Sequence, residues 1–156
     1  MKDRLRRFPG KLRAPLAPAS RPARCWKHAV WGFVTATGGI LGLAGVASLA
    51  GHSLIIGSFG ASAVLLYGTP DSPLAQPRNV FGGHLLCALV GCAMVGFVGA
   101  NALALAAAVG LAIVAMYLTH SMHPPGGATA LIAVHDRAGW LFMLWPVAVG
   151  AAILVV

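Results

Sequence analysis

From Ala29 to Val156 the chain carries four charged residues: Asp71, Arg78, Asp136 and Arg137. A soluble domain has about a quarter of its residues charged. A body this poor in charge has no polar surface with which to meet water, so an ordinary soluble enzyme is excluded. With 58% hydrophobic residues and a mean hydropathy of +0.82, the chain reads as an all-α polytopic membrane protein.

The remaining charges crowd into residues 1–28, where nine basic residues accompany the single acid Asp3. Pro9, Pro15, Pro18 and Pro22 break any long amphipathic helix there. The expectation is a basic, Pro-rich, disordered tail at 1–28 and a transmembrane domain at 29–156. A transit peptide is the alternative, since the tail is rich in Arg and poor in acid. Lys and Arg stay on the cytoplasmic side and gain about 1 kcal/mol each near anionic lipid, which places the N-terminus inside. The formal charge of +8 thus speaks for topology. Only Phe8 and Trp26 interleave with the basic run, and no nucleic-acid partner is expected. Cys25, Cys87 and Cys92 form no C-x-x-C pair. The latter two read as small apolar packing residues.

Hydropathy divides the body into long and short pieces. Long apolar segments are expected at about Ala29–Ala50, Val80–Gly99, Ala102–Leu118 and Trp140–Val156. Shorter ones run from about His52 to Tyr67 and from Pro124 to Val134. Gly38-x-x-x-Gly42 offers a small face for close helix contact. The stretch Gly57–Ser62 reads as loose enough to interrupt a helix. Pro70, Pro73 and Pro77 forbid a continuous helix between Gly68 and Asn79. Asn101 marks a tight connection between two antiparallel segments. The last segment stays apolar to its final residue, which implies either a truncated chain or a helix end that meets a partner. The sum is a small bundle of four full spans plus two short interrupted helices.

Gly60-Ala61-Ser62-Ala63-Val64-Leu65 resembles Gly127-Ala128-Thr129-Ala130-Leu131-Ile132. The same offset lays the first long segment over the third and the second over the last. Each half is then long, short, long, with an odd number of crossings, so the reading is an inverted 3+3 repeat. Paired interrupted helices in such repeats mark the binding site of secondary transporters.

His123-Pro124-Pro125-Gly126-Gly127-Ala128-Thr129-Ala130 resembles the signature of the HPP family of integral membrane proteins. Gly57–Ala63, Ser72–Asn79 and Gly82-Gly83-His84 resemble that family's other shared blocks, in the same order. The resemblance covers the body from about Trp26 onward. It implies a small bundle of four spanning helices and a transport role. Plant members are associated with nitrite transport into the chloroplast. It implies no enzyme reaction and no cofactor.

Proline is favoured in the first helical turn, so Pro124-Pro125 should start a helix. Gly126-Gly127 then leaves bare backbone at its positive end, where peptide N–H groups and the macrodipole suit an anion. Gly60 and Ser62 would supply the matching end from the other half, and Ser62 and Thr129 would add hydroxyls. His123 is an ionisable group at membrane depth, able to carry a proton alongside the anion. The candidate binding residues are therefore Gly60, Ser62, His123, Pro124, Pro125, Gly126, Gly127 and Thr129. Gln76, Arg78, Asn79 and His84 are expected to line the pathway or its mouth. The bland alternatives are tight helix crossing for the glycines and helix capping for His123. His120-x-x-His123 lacks a nearby carboxylate or Cys, and no metal is expected.

The leading expectation is a transporter or channel for a small inorganic anion, with nitrite as the candidate the resemblance brings. The alternative is an accessory membrane subunit that docks a partner. An intramembrane enzyme fares worst, lacking a nucleophile set, paired carboxylates and any cofactor motif. The expected partners are the bilayer, the anion and further copies of the chain, since about 130 residues can hardly enclose a pathway alone. The expected location is a bacterial inner membrane.

Overall fold

The computed structural model describes residues 26–54 and 56–156. The basic tail with Cys25, and Ile55, lie outside the described residues. Among the described residues every regular element is helical. In chain order these are α1 (Trp26–Ala50), α2 (Gly57–Gly68), α3 (Pro77–Val98), α4 (Ala102–Leu118) and α5 (Pro124–His135). A π-helical stretch, Met143–Ala148, then leads into α6 (Val149–Val155).

Helices α1 and α3 are long and apolar enough to cross a membrane. At 1.5 Å per residue they reach about 37 and 33 Å, against a hydrocarbon layer of about 30 Å. The 17 residues of α4 reach about 25 Å. Trp26, Lys27 and His28 already belong to α1, so the helical body starts slightly before the expected boundary.

Local signals set most boundaries. Asn101 caps α4, its Oδ1 accepting from the Ala104 amide at 3.0 Å, as Asn does at an N-cap. Prolines occupy the first turns of α3 and α5, where their missing N–H costs nothing. Between α2 and α3 the chain makes one 3-10 turn, Pro73–Ala75, capped by Ser72. Two expectations need correction. Gly57–Ser62 does not interrupt a helix; it is the start of α2, which runs unbroken to Gly68. The last segment is not one continuous span. Trp145 is extended (φ −129°, ψ 115°) next to Pro146, and a proline inside a helix removes a backbone donor and crowds the preceding turn.

Two groups of three helices make the core. Cys87, Ala104, Ala108, Ala112, Met116, Ala130 and Val134 join α3, α4 and α5. Leu43, Leu54, Phe59, Ala63, Ala151 and Leu154 join α1, α2 and α6. The Tyr67 hydroxyl ties the second group together by donating to the Leu154 carbonyl at 2.7 Å. Gly39 makes room for it, since a Cβ there would lie 2.7 Å from that oxygen.

The tight crossing lies between α3 and α5. Gly83 and Gly91 of α3 face α5 and the turn before it. A Cβ on Gly91 would sit 2.6 Å from Ala133 Cβ, and one on Gly83 2.6 Å from His123 Cβ. The Gly38–Gly42 face expected to do this work does not: Gly38 meets nothing, and Gly42 has only Ile153 at ordinary distance. Small residues let helix backbones approach, which is how apolar helices hold together in lipid.

The two signature glycines differ. A methyl on Gly126 would lie 2.9 Å from Cys87 Sγ and 3.0 Å from the Gly83 carbonyl, whereas one on Gly127 meets nothing within 4 Å. Gly126→Ala should cost about 1–3 kcal/mol by overpacking, and Gly127→Ala should leave stability near wild type. Unfolding both in mixed micelles by SDS titration checks this; equal behaviour would contradict the packing.

Candidate functional site

Five polar side chains meet where the two helix groups join. Ser62, His84, His123 and Thr129 are 0% exposed, and Ser58 is 1% exposed. Ser58 and Ser62 come from α2, one turn apart on the same face. His84 comes from α3, two turns in. Thr129 comes from α5, and His123 is the residue immediately before it.

The local sequence explains the placement of His123. A residue before proline is pushed to extended backbone, and His123 has φ −139° and ψ 100°. Gly83 lacks the Cβ that would otherwise collide with His123 Cβ. The histidine can therefore sit against α3 beside His84, with ring centroids 5.0 Å apart. Phe59 closes another side, edge-on to His84 at 5.2 Å.

The hydrogen bonds form one connected set. Ser62 Oγ lies 2.7 Å from His84 Nε2 and 2.8 Å from His123 Nε2. It also lies 3.1 Å from the Ser58 carbonyl, one turn back. His84 Nδ1 is 2.7 Å from Thr129 Oγ1, which is 2.8 Å from Ser58 Oγ. His123 Nδ1 is 2.9 Å from the Leu74 carbonyl. A carbonyl only accepts, so His123 Nδ1 carries a proton and donates to it. Every imidazole nitrogen has a partner, as a buried polar group requires.

The expected binding residues therefore separate. Ser62, His123 and Thr129 converge, and His84, expected along the pathway, stands between them. Gly60 is exposed, and a Cβ there or on Gly127 would meet nothing. Pro124 and Pro125 start the helix as expected but offer no N–H. The Gly126 amide donates to the His123 carbonyl at 2.9 Å. The first turn of α5 thus has little free backbone N–H to offer an anion, and the polar chemistry of the signature sits in side chains.

At the expected mouth, Gln76 and Arg78 are exposed while Asn79 is buried. Asn79 Nδ2 donates to the Pro73 carbonyl at 2.7 Å, pinning the loop that presents the Leu74 carbonyl. Its Oδ1 has no hydrogen-bond partner among the described residues. His120 is exposed while His123 is fully buried, so the two do not share a surroundings suited to one metal. Among the described residues no group of three potential metal ligands occurs. Ser58 and the Leu74 carbonyl were not singled out from sequence. Ser58 had a signal in its i, i+4 spacing from Ser62; the carbonyl had none. A groove between α3 and α4, lined by Val90, Met94, Phe97, Leu111, Val114 and Leu118 among others, is apolar and carries no such chemistry.

Residues 21–156 match the family described as the HPP transmembrane region. Two transmembrane proteins of Dictyostelium discoideum are similar. One is 50% identical over 109 residues, 65% of this chain and 38% of the relative. The other is 51% identical over 105 residues, 62% of this chain and 34% of the relative. The chain thus spans little more than a third of the length of these relatives. No solved structure matches. With the match running over the whole helical body, the chain belongs to the HPP family of integral membrane proteins.

Proposed function

We propose that this protein is a transporter or channel for a small inorganic anion, nitrite first, with its site at the Ser62–His84–His123–Thr129 cluster. The carrying observation is the cluster itself. Two imidazoles and three hydroxyls are sealed inside a small apolar bundle. Polar groups at membrane depth are costly and mark ion pathways and proton relays. Neutral imidazole and hydroxyl donors suit a small anion, and a protonated imidazole adds the compensating charge.

We read an inverted repeat as part of the proposal. Helices α2 and α5 have 12 residues each and begin at the two ends of the offset read from sequence. Ser62 and Thr129 occupy equivalent positions and flank the two nitrogens of His84. The packing follows the same symmetry: α1 and α2 close with α6, as α4 and α5 close with α3. Sites at such repeat interfaces serve alternating access. In this reading α1, α3, α4 and the broken last segment are the four spans, the N-terminus is cytoplasmic, and the chain acts as a homo-oligomer.

Nitrite uptake into liposomes holding the purified protein, at two external pH values and against protein-free vesicles, tests the proposal. Saturable uptake that rises at low pH and falls to background in His123→Ala is expected. No uptake of nitrite, nitrate or chloride would overturn it. One observation favours the accessory-subunit reading: Leu43 is the sole buried residue of α1, which leaves most of that helix open to lipid or a partner.

A further inference from the structure

We infer that Ser62 is a proton relay between His84 and His123, so that the cluster moves a proton as well as lining a site. The inference rests on the transport reading and supplies its coupling ion. The deciding geometry is one hydroxyl oxygen between two imidazole Nε2 atoms, at 2.7 and 2.8 Å. A hydroxyl both donates and accepts, so it can pass a proton either way without moving its oxygen.

In the neutral cluster the proton positions follow from its two ends. His123 Nδ1–H donates to the Leu74 carbonyl, leaving Nε2 to accept from Ser62. Thr129 donates to Ser58 Oγ, so its oxygen accepts from His84 Nδ1–H, and His84 Nε2 is likewise left to accept. Both neutral rings therefore hold the Nδ1–H tautomer, with the one Ser62 hydroxyl between two Nε2 acceptors.

With one extra proton, His84 Nδ1–H still donates to Thr129 and Thr129 to Ser58 Oγ. The proton can then rest on either ring. With His123 cationic, its Nε2–H donates to Ser62, and Ser62 donates to His84 Nε2. In the relay step the His123 Nε2–H bond breaks as that proton bonds to Ser62 Oγ. The original Ser62 O–H bond breaks as its proton bonds to His84 Nε2. His123 ends neutral, His84 ends cationic, and Ser62 is a neutral hydroxyl before and after. The charge has moved between rings 5.0 Å apart, and no other reactant takes part.

Among the described residues no charged side chain competes for that proton. Facing the rings are Phe59 and Ser62 from α2, the Leu74 carbonyl, Gly83 from α3 and Thr129 from α5, with Ser58 bonded to Thr129 behind it. The stretch Met143–Val155 contains no titratable residue. Asp71, Arg78, Asp136 and Arg137 are all exposed.

Two measurements on the full chain test the relay. The first is 15N NMR of histidine-labelled protein in bilayers. Nδ1–H tautomers at both neutral rings, and Nε2 signals of both rings that shift together as one proton is taken up, are expected. An Nε2–H tautomer at either neutral ring, or independent titration, would overturn the relay whether or not any anion moves. The second is lumen acidification of liposomes containing a pH dye, under a clamped potential, with and without nitrite. Ser62→Ala should slow proton entry about a hundredfold, and Ser62→Thr, which keeps the hydroxyl, should restore it. Unchanged proton entry in Ser62→Ala would overturn the relay even if nitrite uptake persists. Joint titration in a protein that transports no anion would uphold the relay and remove the anion-transport reading instead. If Ser62→Ala does not yield monodisperse protein, the NMR result on the wild type decides.

Discussion

Gly91→Val should leave little folded protein. The first added carbon would meet Ala133 Cβ at 2.6 Å, the Ala130 carbonyl oxygen at 2.8 Å and Ala130 Cα at 3.3 Å. Two of these three are backbone of α5 and cannot swing aside as a long side chain would. The branched carbons of valine add to the overlap. Overpacking costs about 1–3 kcal/mol even where neighbours yield; here α3 and α5 must separate along the seam that also positions His84 against His123, so a loss of about 3 kcal/mol is the expectation. Gly96→Val is the control, because a Cβ on Gly96 meets nothing within 4 Å. SDS titration of both variants in mixed micelles, followed by tryptophan fluorescence, measures the difference. A Gly91 variant as stable as the Gly96 variant would mean the two helices do not cross there.

Ser62→Ala is the second large effect, and it arises from chemistry rather than volume. Removing the hydroxyl strips a partner from His84 Nε2 and from His123 Nε2 at once. Each buried polar group left unpaired costs about 1–3 kcal/mol, so about 3 kcal/mol or more of stability should go. The penalty should shrink when His84→Leu is already present, since one of the orphans is then absent. That non-additivity is the signature of a shared network. A double-mutant cycle on unfolding free energy measures it, and additive losses would show that Ser62 and His84 do not act together.

The sequence carried much of the fold because membrane helices are written in local signals. Helix α4 falls on the expected Ala102–Leu118, held by Asn101 at one end and the apolar run itself. Helix α5 begins at Pro124 because proline fits only the first turn. Pro146 broke the last segment, although an unbroken apolar stretch read as one span; hydropathy does not register a missing N–H. The site was legible in its members but not in its bonds. Ser62, His123 and Thr129 stand out as polar residues in apolar surroundings, and His84 as an ionisable one. That Ser62 touches both rings depends on where α2 crosses α3 and α5, which one-dimensional periodicity does not encode. The signature glycines show the same limit. Gly126 and Gly127 are adjacent and identical in sequence, yet only one faces α3.

The division into two helix groups also has a consequence for biosynthesis. A chain made from its N-terminus delivers α1 and α2 to the bilayer first, but Phe59 packs on Gly150 so closely that a methyl there would overlap its ring. The surfaces of α1 and α2 around Leu43, Phe59 and Ala63 stay unmatched until Gly150–Leu154 has been synthesised. The group of α3, α4 and α5, contiguous in the chain, has its members in hand much earlier. Assembly should therefore run from the middle of the chain outward, with the earliest helices among the last to be locked in place.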